Sequence, residues 1–549
     1  MTAIAASPIA HLATRAHTPS TPPSLADETP PWHTSSVCAN LFPPEVVESA
    51  PPTPVPSIPS TAPHDHAYFQ VRDPSAGISS ARVPPQANHH SSSSPSCEAI
   101  NSSPFGTVRH VPKKCRNFFS RSLCSVIENL IISPSLDTYT DLHALAKCTL
   151  SNPARGGRQH GEQFVKIVNA RLSRWDNGER LLPKNETGSR RCKRQRDPSP
   201  ESDLAKRNRL VIRATQDGQY GKAAKILSSS GLASPSKASV QAEMLRLHPF
   251  ASLPIIPDEE CPPPTSFSED DVLSAIRSFP EGTAAGPSGF RLAFLKDSVS
   301  CPNLRQGAFT RSAVTKLVNI VAAGKLTRDI APFFCGAQLH ALHKKDANSL
   351  RPIAVGETFR RLVAKCLAFK LSPQASTFLE PHQLGVKTRG GCEAIIHAAQ
   401  AILSDPSLHE NEKWVLQVDF RNAFNTMDRG FMLSEVRKNL PGLSAFAEWC
   451  YGDHSILQFG ETTIASASGP QQGDPLGCIL FALGLHPLVK RIQAEVPTLN
   501  MHTWYLDDGT FIGRLLDIAK AFQIVKDFSP IMGLWVSMVK STYWRSPKI

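Results

Sequence analysis

No two cysteines of this chain form a C-x-x-C pair, and none of the 13 stands with histidines at zinc-binding spacing, which argues against a zinc finger in this stretch. Scattered single cysteines in a chain of 549 residues fit a reducing compartment. No apolar run approaches the length of a membrane span, so no membrane partner is expected. The opening Met1-Thr-Ala-Ile-Ala-Ala-Ser lacks the basic stretch and long apolar core of a secretory signal, and no internal repeat is found. What the chain has in excess is positive charge, a formal +12. That balance suits a polyanionic partner, although charge alone serves solubility equally well. The length implies two or three structural units.

Composition divides the chain into three parts. Residues 1–115 are rich in Pro, Ser, Thr and Ala, as in Pro51-Pro-Thr-Pro-Val-Pro and Ser91-Ser-Ser-Ser. Few apolar residues recur there at helical or strand period, so the segment cannot offset its ordering entropy and is expected to be disordered. Residues 116–264 are expected to be a helical extension. Phe118, Phe119, Leu123, Ile127, Leu130 and Ile131 recur at helical spacing, and Glu162–Trp175 repeats the pattern. Two further helices are expected over about 214–228 and 240–247. A basic insert at about 186–210 carries Arg190-Arg-Cys-Lys-Arg-Gln-Arg and Lys206-Arg-Asn-Arg. Such blocks repel themselves and stay solvated. They read as a linker, or as a nuclear-import signal or phosphate-binding patch, which places the protein in nucleus and cytoplasm. Residues 265–549 mix apolar-periodic helices with short β-rich runs and read as one compact α+β unit.

Two short segments carry the chemistry. Trp414-Val-Leu-Gln-Val-Asp419 has the β-rich composition of a buried strand ending on an acid, which is costly to bury alone. His502-Thr-Trp-Tyr-Leu-Asp-Asp-Gly-Thr-Phe-Ile has two β-rich runs flanking Asp507, Asp508 and Gly509. Asp-Gly is a strong hairpin signal, so both aspartates are expected at a hairpin tip. Adjacent carboxylates repel unless cations neutralise them. Three converging on one site suit a hard, oxygen-seeking ion such as Mg²⁺. Either segment alone is commonly a turn or a helix cap.

Six segments, in order over roughly residues 280–545, together resemble the reverse transcriptase family, especially enzymes of non-LTR, LINE-like retrotransposons. They are Gly282-Thr-Ala-Ala-Gly-Pro-Ser-Gly-Phe; Leu342-His-Lys-Lys-Asp-Ala-Asn-Ser-Leu-Arg-Pro-Ile; Gln383-Leu-Gly-Val with Gly390-Gly-Cys-Glu-Ala-Ile-Ile-His; the Asp419 strand with Arg421-Asn-Ala-Phe424; Ser468-Gly-Pro-Gln-Gln-Gly-Asp-Pro-Leu-Gly-Cys; and Tyr505-Leu-Asp-Asp. A seventh stretch, Gly533-Leu-Trp-Val-Ser-Met-Val-Lys540, resembles the segment that follows them. Leu506 stands where many relatives carry Ala or Val, and Ser537 where the family often has Asn.

The resemblance implies a right-hand α+β polymerase. Its fingers and palm, the latter an antiparallel sheet backed by helices, would follow the helical extension and the disordered start. Since the sequence ends at Ile549, soon after Lys540, the helical thumb of the family is expected to be largely absent. The resemblance also implies RNA-directed DNA synthesis: nucleotidyl transfer from a dNTP to a primer 3′-hydroxyl on an RNA template. Asp419, Asp507 and Asp508 would hold two Mg²⁺ ions, for which Mn²⁺ could substitute, about 3.5–4 Å apart. Lys344 and Arg351 would hold the triphosphate, a task suited to an ammonium and a forked guanidinium. Phe424 would screen the sugar as a steric gate, Gln472 and Gly473 would line the primer–template, and Lys540 would protonate the leaving pyrophosphate. The Gln383 segment is assigned to scaffold or template contact. Two rivals stand beside this reading. One is a truncated, inactive transposon-derived remnant acting at most as a nucleic-acid binder. The other is an RNA-dependent RNA polymerase, against which Phe424 and the Tyr505-Leu-Asp-Asp box argue. The sequence leaves oligomeric state open.

Overall fold

In the computed structural model the described residues are 95–103, 105–152, 161–183, 200–216, 218–229, 231–344 and 349–545. They all lie in the unit Asn88–Ile549; the other unit, Met1–Ala87, falls outside them, as does the basic run 190–196.

Helix formation starts earlier than composition suggests. Helix α1 (Cys97–Ser102) is capped by the Ser96 hydroxyl, which accepts from the Ala99 amide, and buries Cys97 and Ile100. Helix α2 (Arg116–Ile132) buries Phe119, Leu123, Ile127 and Leu130, four of the six residues whose spacing announces it. Helix α3 (Leu136–Leu150), which apolar periodicity does not single out, opens on a Ser135–Thr138 capping box. Its sequence is hard to recognise because its buried face includes His143, Lys147 and Thr149. Helix α4 (Glu162–Asp176) buries Val168, Leu172 and Trp175. Helices α5 (Pro200–Gln216), α6 (Tyr220–Ser228) and α7 (Ala238–Arg246) follow, so the second half of the expected basic linker is helical.

Helices α8 (Glu269–Arg277), α9 (Leu292–Val299), α10 (Leu304–Ala322) and the short α11 (Ala331–Phe334) lead into a first sheet. Strands β1 (Ala337–His343) and β2 (Leu350–Gly356) are antiparallel, pairing Leu342 with Arg351. Helix α12 (Thr358–Leu379) and helix α13 (Gly391–Ser404) come next. Strand β3 (Trp414–Val418) precedes short α14 (Ala423–Thr426), α15 (Arg429–Asn439) and α16 (Ser444–Tyr451). The hairpin β4 (Ser455–Phe459) and β5 (Thr462–Ser466) joins the first sheet in the order β2-β1-β4-β5, with β1 and β4 parallel. Helix α17 (Gly477–Glu495), strands β6 (Met501–Tyr505) and β7 (Asp508–Gly513), helix α18 (Leu515–Phe528) and strand β8 (Thr542–Arg545) complete the chain. The second sheet, β6-β7-β3-β8, is antiparallel throughout. These are the fingers and palm sheets of the expected fold. Leu416 and Val418 join the main core, while Val415 with Met501 and Ile512 packs under Ile395, Ala399 and Ile402 of α13. Successive β3 residues thus face helices on both sides, which is why the strand reads as continuously apolar.

The helical extension is not packed as a separate body. Phe119 of α2 lies 6.0 Å, ring to ring, from Phe294 of α9, and the Ser120 hydroxyl meets that of Thr310 at 2.7 Å. One apolar cluster runs from Cys97 to Leu534. Farther along, the 231–233 segment bonds to the part of β1 that lies beyond β4, where the Ala233 amide donates to Ala341 O at 2.9 Å. Val240 and Met244 of α7 then cover the first sheet.

Candidate active site

The two acidic segments meet in the second sheet. Pairing of Val418 with Gly509 sets Asp419, one residue past β3, beside Asp508 at the start of β7. The hairpin differs from its sequence expectation. Tyr505 pairs with Asp508, so the two-residue turn is Leu506-Asp507, and Asp508-Gly509 belongs to the strand. Leu506 takes the left-handed conformation (φ 57°) that the first position of such a turn demands. The role of Gly509 is therefore packing: a Cβ there would sit 2.8 Å from the Trp504 ring. Burial, then the charges of Asp508 and Asp419, push the Asp507 carboxyl up to about 6. Asp508 is raised by burial and by Asp419. The three carboxylates thus act on one another, as a cation-binding donor set would.

No three His, Cys, Asp or Glu side chains among the described residues close into a finished metal cage. The Lys540 ammonium lies 3.2 Å from both oxygens of Asp419, and part of the negative charge is met there. By donor type, three carboxylates suit a hard, oxygen-seeking divalent ion. Lys540, expected at the pyrophosphate, is thus paired with Asp419. The loop that brings it is tied down by Ser537 N donating to Asp419 O at 2.8 Å and Arg421 N to Trp535 O at 2.8 Å.

Phe424 is half-buried on α14 and stacks on Phe481 of α17 with centroids 4.6 Å apart. Asn422, in the left-handed region (φ 51°), turns the chain between Asp419 and Phe424, and its side-chain Nδ2 donates to Leu247 O at 2.8 Å. Gly473, expected to allow close approach of nucleic acid, has a different neighbour. Its backbone (φ 132°) meets β2: a Cβ would lie 2.3 Å from Ala354 O, and Gln472 O accepts from the Ala354 amide at 2.8 Å. Glycine is thus required by protein packing. Lys344 follows β1, its amide bonded to Ser349 O, and Arg351 is exposed on β2. Both stand at the open end of the β1–β2 hairpin, whose connection 345–348 lies outside the described residues.

Two groups support the site from behind, and sequence reasoning reaches only the first, as a segment assigned to scaffold or template contact. That is Gln383, 1% exposed. Its carboxamide oxygen accepts from the Leu506 amide at 2.8 Å and its nitrogen donates to Leu506 O at 3.0 Å, bracing the strained residue of the Asp507 hairpin. The second is a buried network behind Gln472. Arg360 pairs with Asp474 at 2.8 Å and donates to Tyr451 Oη at 3.0 Å and to Gln471 Oε1, while Tyr451 Oη donates to Asp474 at 2.6 Å. Burial works against the Arg360 charge, but Tyr451 and Asp474 more than offset it and raise its pKa. Arg429, held by Gly469 O and Ser466 Oγ, is brought down to about 10 by burial. The signal for these lies in polar residues interrupting otherwise apolar stretches, which read equally well as surface.

Residues 342–549 match the family described as Reverse transcriptase (RNA-dependent DNA polymerase). This segment is a reverse transcriptase domain. It contains every sequence-predicted site residue, from Lys344 to Lys540. No curated protein matches the chain. Among solved structures, telomerase from Candida albicans in complex with a TWJ fragment of telomeric RNA is similar at 10% identity and a TM-score of 0.30. The match covers 38% of this chain and 43% of that one, so the chain spans less than half the length of the telomerase structure. The reverse transcriptase domain is thus recognised from sequence, and the geometry of the site rests on this chain alone.

Proposed function

We propose that the chain is an RNA-directed DNA polymerase of the non-LTR retrotransposon type, extending a DNA primer from dNTPs on an RNA template. The observation carrying this reading is the meeting of Asp419 with Asp507 and Asp508 where β3 and β7 pair, where burial and then the neighbouring carboxylates hold Asp507 at about 6. Phosphoryl transfer needs positioning and charge neutralisation more than covalent help. Mg²⁺, or Mn²⁺ in its place, would be held by Asp419, Asp507 and Asp508; it would supply Lewis-acid activation of the 3′-hydroxyl and stabilise the leaving pyrophosphate. The protein's own part is to present those carboxylates on a rigid sheet and to place Phe424 against the sugar. Lys344 and Arg351 bring positive charge for the triphosphate. Lys540 holds Asp419 until substrate arrives, and from there is positioned to hand a proton to the departing phosphate.

The test is primer extension on poly-rA/oligo-dT with dTTP and Mg²⁺ or Mn²⁺. Wild-type chain should extend the primer, and Asp507→Asn should lower the rate on the order of 10³-fold. Equal rates for the two would reduce the chain to a nucleic-acid binder.

A further inference from the structure

Outside the polymerase site, a large cavity of about 710 Å³ opens between the helical extension and the Gly282 loop. Its wall carries Arg109, His110, Arg213, Arg291 and Lys296 against one acid, Glu281. Among the described residues, Arg109, Arg213 and Arg291 have no carboxylate partner. Arg291 donates only to the Thr107 hydroxyl, at 3.3 Å, and Lys296 to Phe279 O, at 2.8 Å. Burial, and the Arg109 charge beside it, lower the Arg291 pKa. Like charges gathered in a concavity raise the local concentration of anions. Leu292 and Ala293, the first residues of α9, also line the cavity, and the N-cap of that helix, Arg291, makes no side-chain capping bond. The amides of the first turn therefore add positive dipole to the same wall.

The lining also says what the ligand presents. Among the described residues it contains no Phe, Tyr or Trp, so they offer bases no ring to stack on and sequence reading through stacking no platform. Forked guanidiniums match phosphate oxygens in pairs. The volume lies in the range of small-ligand pockets, enough for a short stretch of one strand. We propose that this cleft is a second nucleic-acid site, gripping the sugar–phosphate backbone of a single strand without regard to sequence. It lies outside the constellation that carries the proposed chemistry and does not depend on that reading.

The experiment is fluorescence anisotropy of a mixed-sequence 20-nucleotide RNA, and of the same sequence as DNA, with the full chain between 50 and 300 mM KCl. Arg109 and Arg213 are exposed, so Arg109→Glu/Arg213→Glu alters charge with little effect on packing. Arg305→Glu/Lys316→Glu, exposed on α10, is the control of equal charge change. The cleft variant should lose at least about tenfold in affinity for both strands. Its slope of log K against log salt should flatten by about 1.4, roughly 0.7 for each phosphate that is no longer neutralised. The control should change less than about twofold. Equal losses in both variants would mean bulk charge alone and overturn the site, as would an unchanged slope. Competition by polyglutamate as effective as by RNA would assign the cleft to an acidic protein and likewise overturn it. If the reversal variant fails to fold, Arg109→Gln/Arg213→Gln is judged by the same criteria, at half the slope change or more.

Discussion

At the residue scale the site is governed by uncompensated carboxylate charge. Asp507 normally titrates near 3.8 and is held at about 6. A carboxyl raised on folding favours the folded state when protonated, so its contribution is present below about pH 4 and is lost as pH rises through 6. The groups facing it are Asp508 and Asp419, which raise it, and Lys540, which lowers it. In metal-free protein, thermal unfolding should therefore show wild type gaining stability from pH 7.5 to pH 5, with Asp507→Asn gaining clearly less; parallel curves would mean the carboxylates do not interact. A divalent ion added at pH 7.5 should raise the wild-type Tm and not that of Asp507→Asn, because the ion binds the ionised form. Phe424 makes a second prediction at this scale. Its ring is backed by Phe481, so it is a fixed obstacle. Phe424→Val should raise ribonucleotide over deoxyribonucleotide incorporation on the order of 10- to 100-fold in single-nucleotide extension, and an unchanged ratio would remove it from the gate. The acids and this aromatic are legible in sequence because their residue types are tied to the chemistry. The identity of the turn is not: Asp-Gly reads as a hairpin tip, yet the Trp504 ring needs Gly509 in the strand, and tertiary packing overrides local turn preference.

At the element scale the β6–β7 hairpin that carries Asp507 is held from outside. Leu506 sits in a conformation that costs a non-glycine residue about 1 kcal/mol or more, and the Gln383 carboxamide bonds both its N–H and its C=O. Gly385 and Leu506 also touch so closely that a Cβ on Gly385 would lie 2.7 Å from the Leu506 amide nitrogen. Gln383→Ala should lower the turnover of primer extension about tenfold or more with little change in KM for dNTP, since the hairpin carries Asp507 and not Lys344 or Arg351, the cations proposed for the triphosphate. Leu506→Gly, which relieves the left-handed strain, should recover part of that loss; a purely structural Gln383 would show neither the split nor the rescue. On the other side of the site, Gly473→Ala would drive a methyl into Ala354 O, and urea unfolding should show a loss of about 2–3 kcal/mol. Glycine-rich and Gln-Gly segments are visible in the sequence, but their reason is not. The Gly282 loop illustrates this: the Ser288 hydroxyl and amide grip buried Glu357 at 2.6 and 2.8 Å, and Gly286 packs where a Cβ would be 2.9 Å from Glu357 Cα. Such contacts join residues far apart in the chain, and no local pattern encodes them.

At the scale of the molecule, composition and packing divide the chain differently. The extension reads as separate because a basic, proline-bearing insert interrupts it and the Pro249–Pro264 stretch ends it, and such stretches ordinarily mark domain boundaries. In the structure its α2 and α3 supply part of the core on which the reverse transcriptase domain rests. Phe119 contacts Phe290 and Phe294, and Lys147 of α3, buried and brought down to about 8 chiefly by that burial, lies within the charge field of Glu357. Burying a Lys and a Glu in one interface adds little stability over apolar residues but penalises any misaligned docking. The consequence can be measured with a residue that lies outside the matched segment 342–549. Phe119→Ala should cost about 3–5 kcal/mol and should shift one cooperative urea transition, followed both by far-UV circular dichroism and by tryptophan fluorescence; six of the seven tryptophans lie beyond residue 400 or at Trp175. If the extension were an independent unit, the variant would instead split unfolding into two steps, with the fluorescence of Trp449 and Trp504 unmoved while the helical signal of the first step fell at lower urea. A single shifted transition would place the extension within the folding unit of the polymerase core, so that truncating it would cost activity through stability before any loss of nucleic-acid binding.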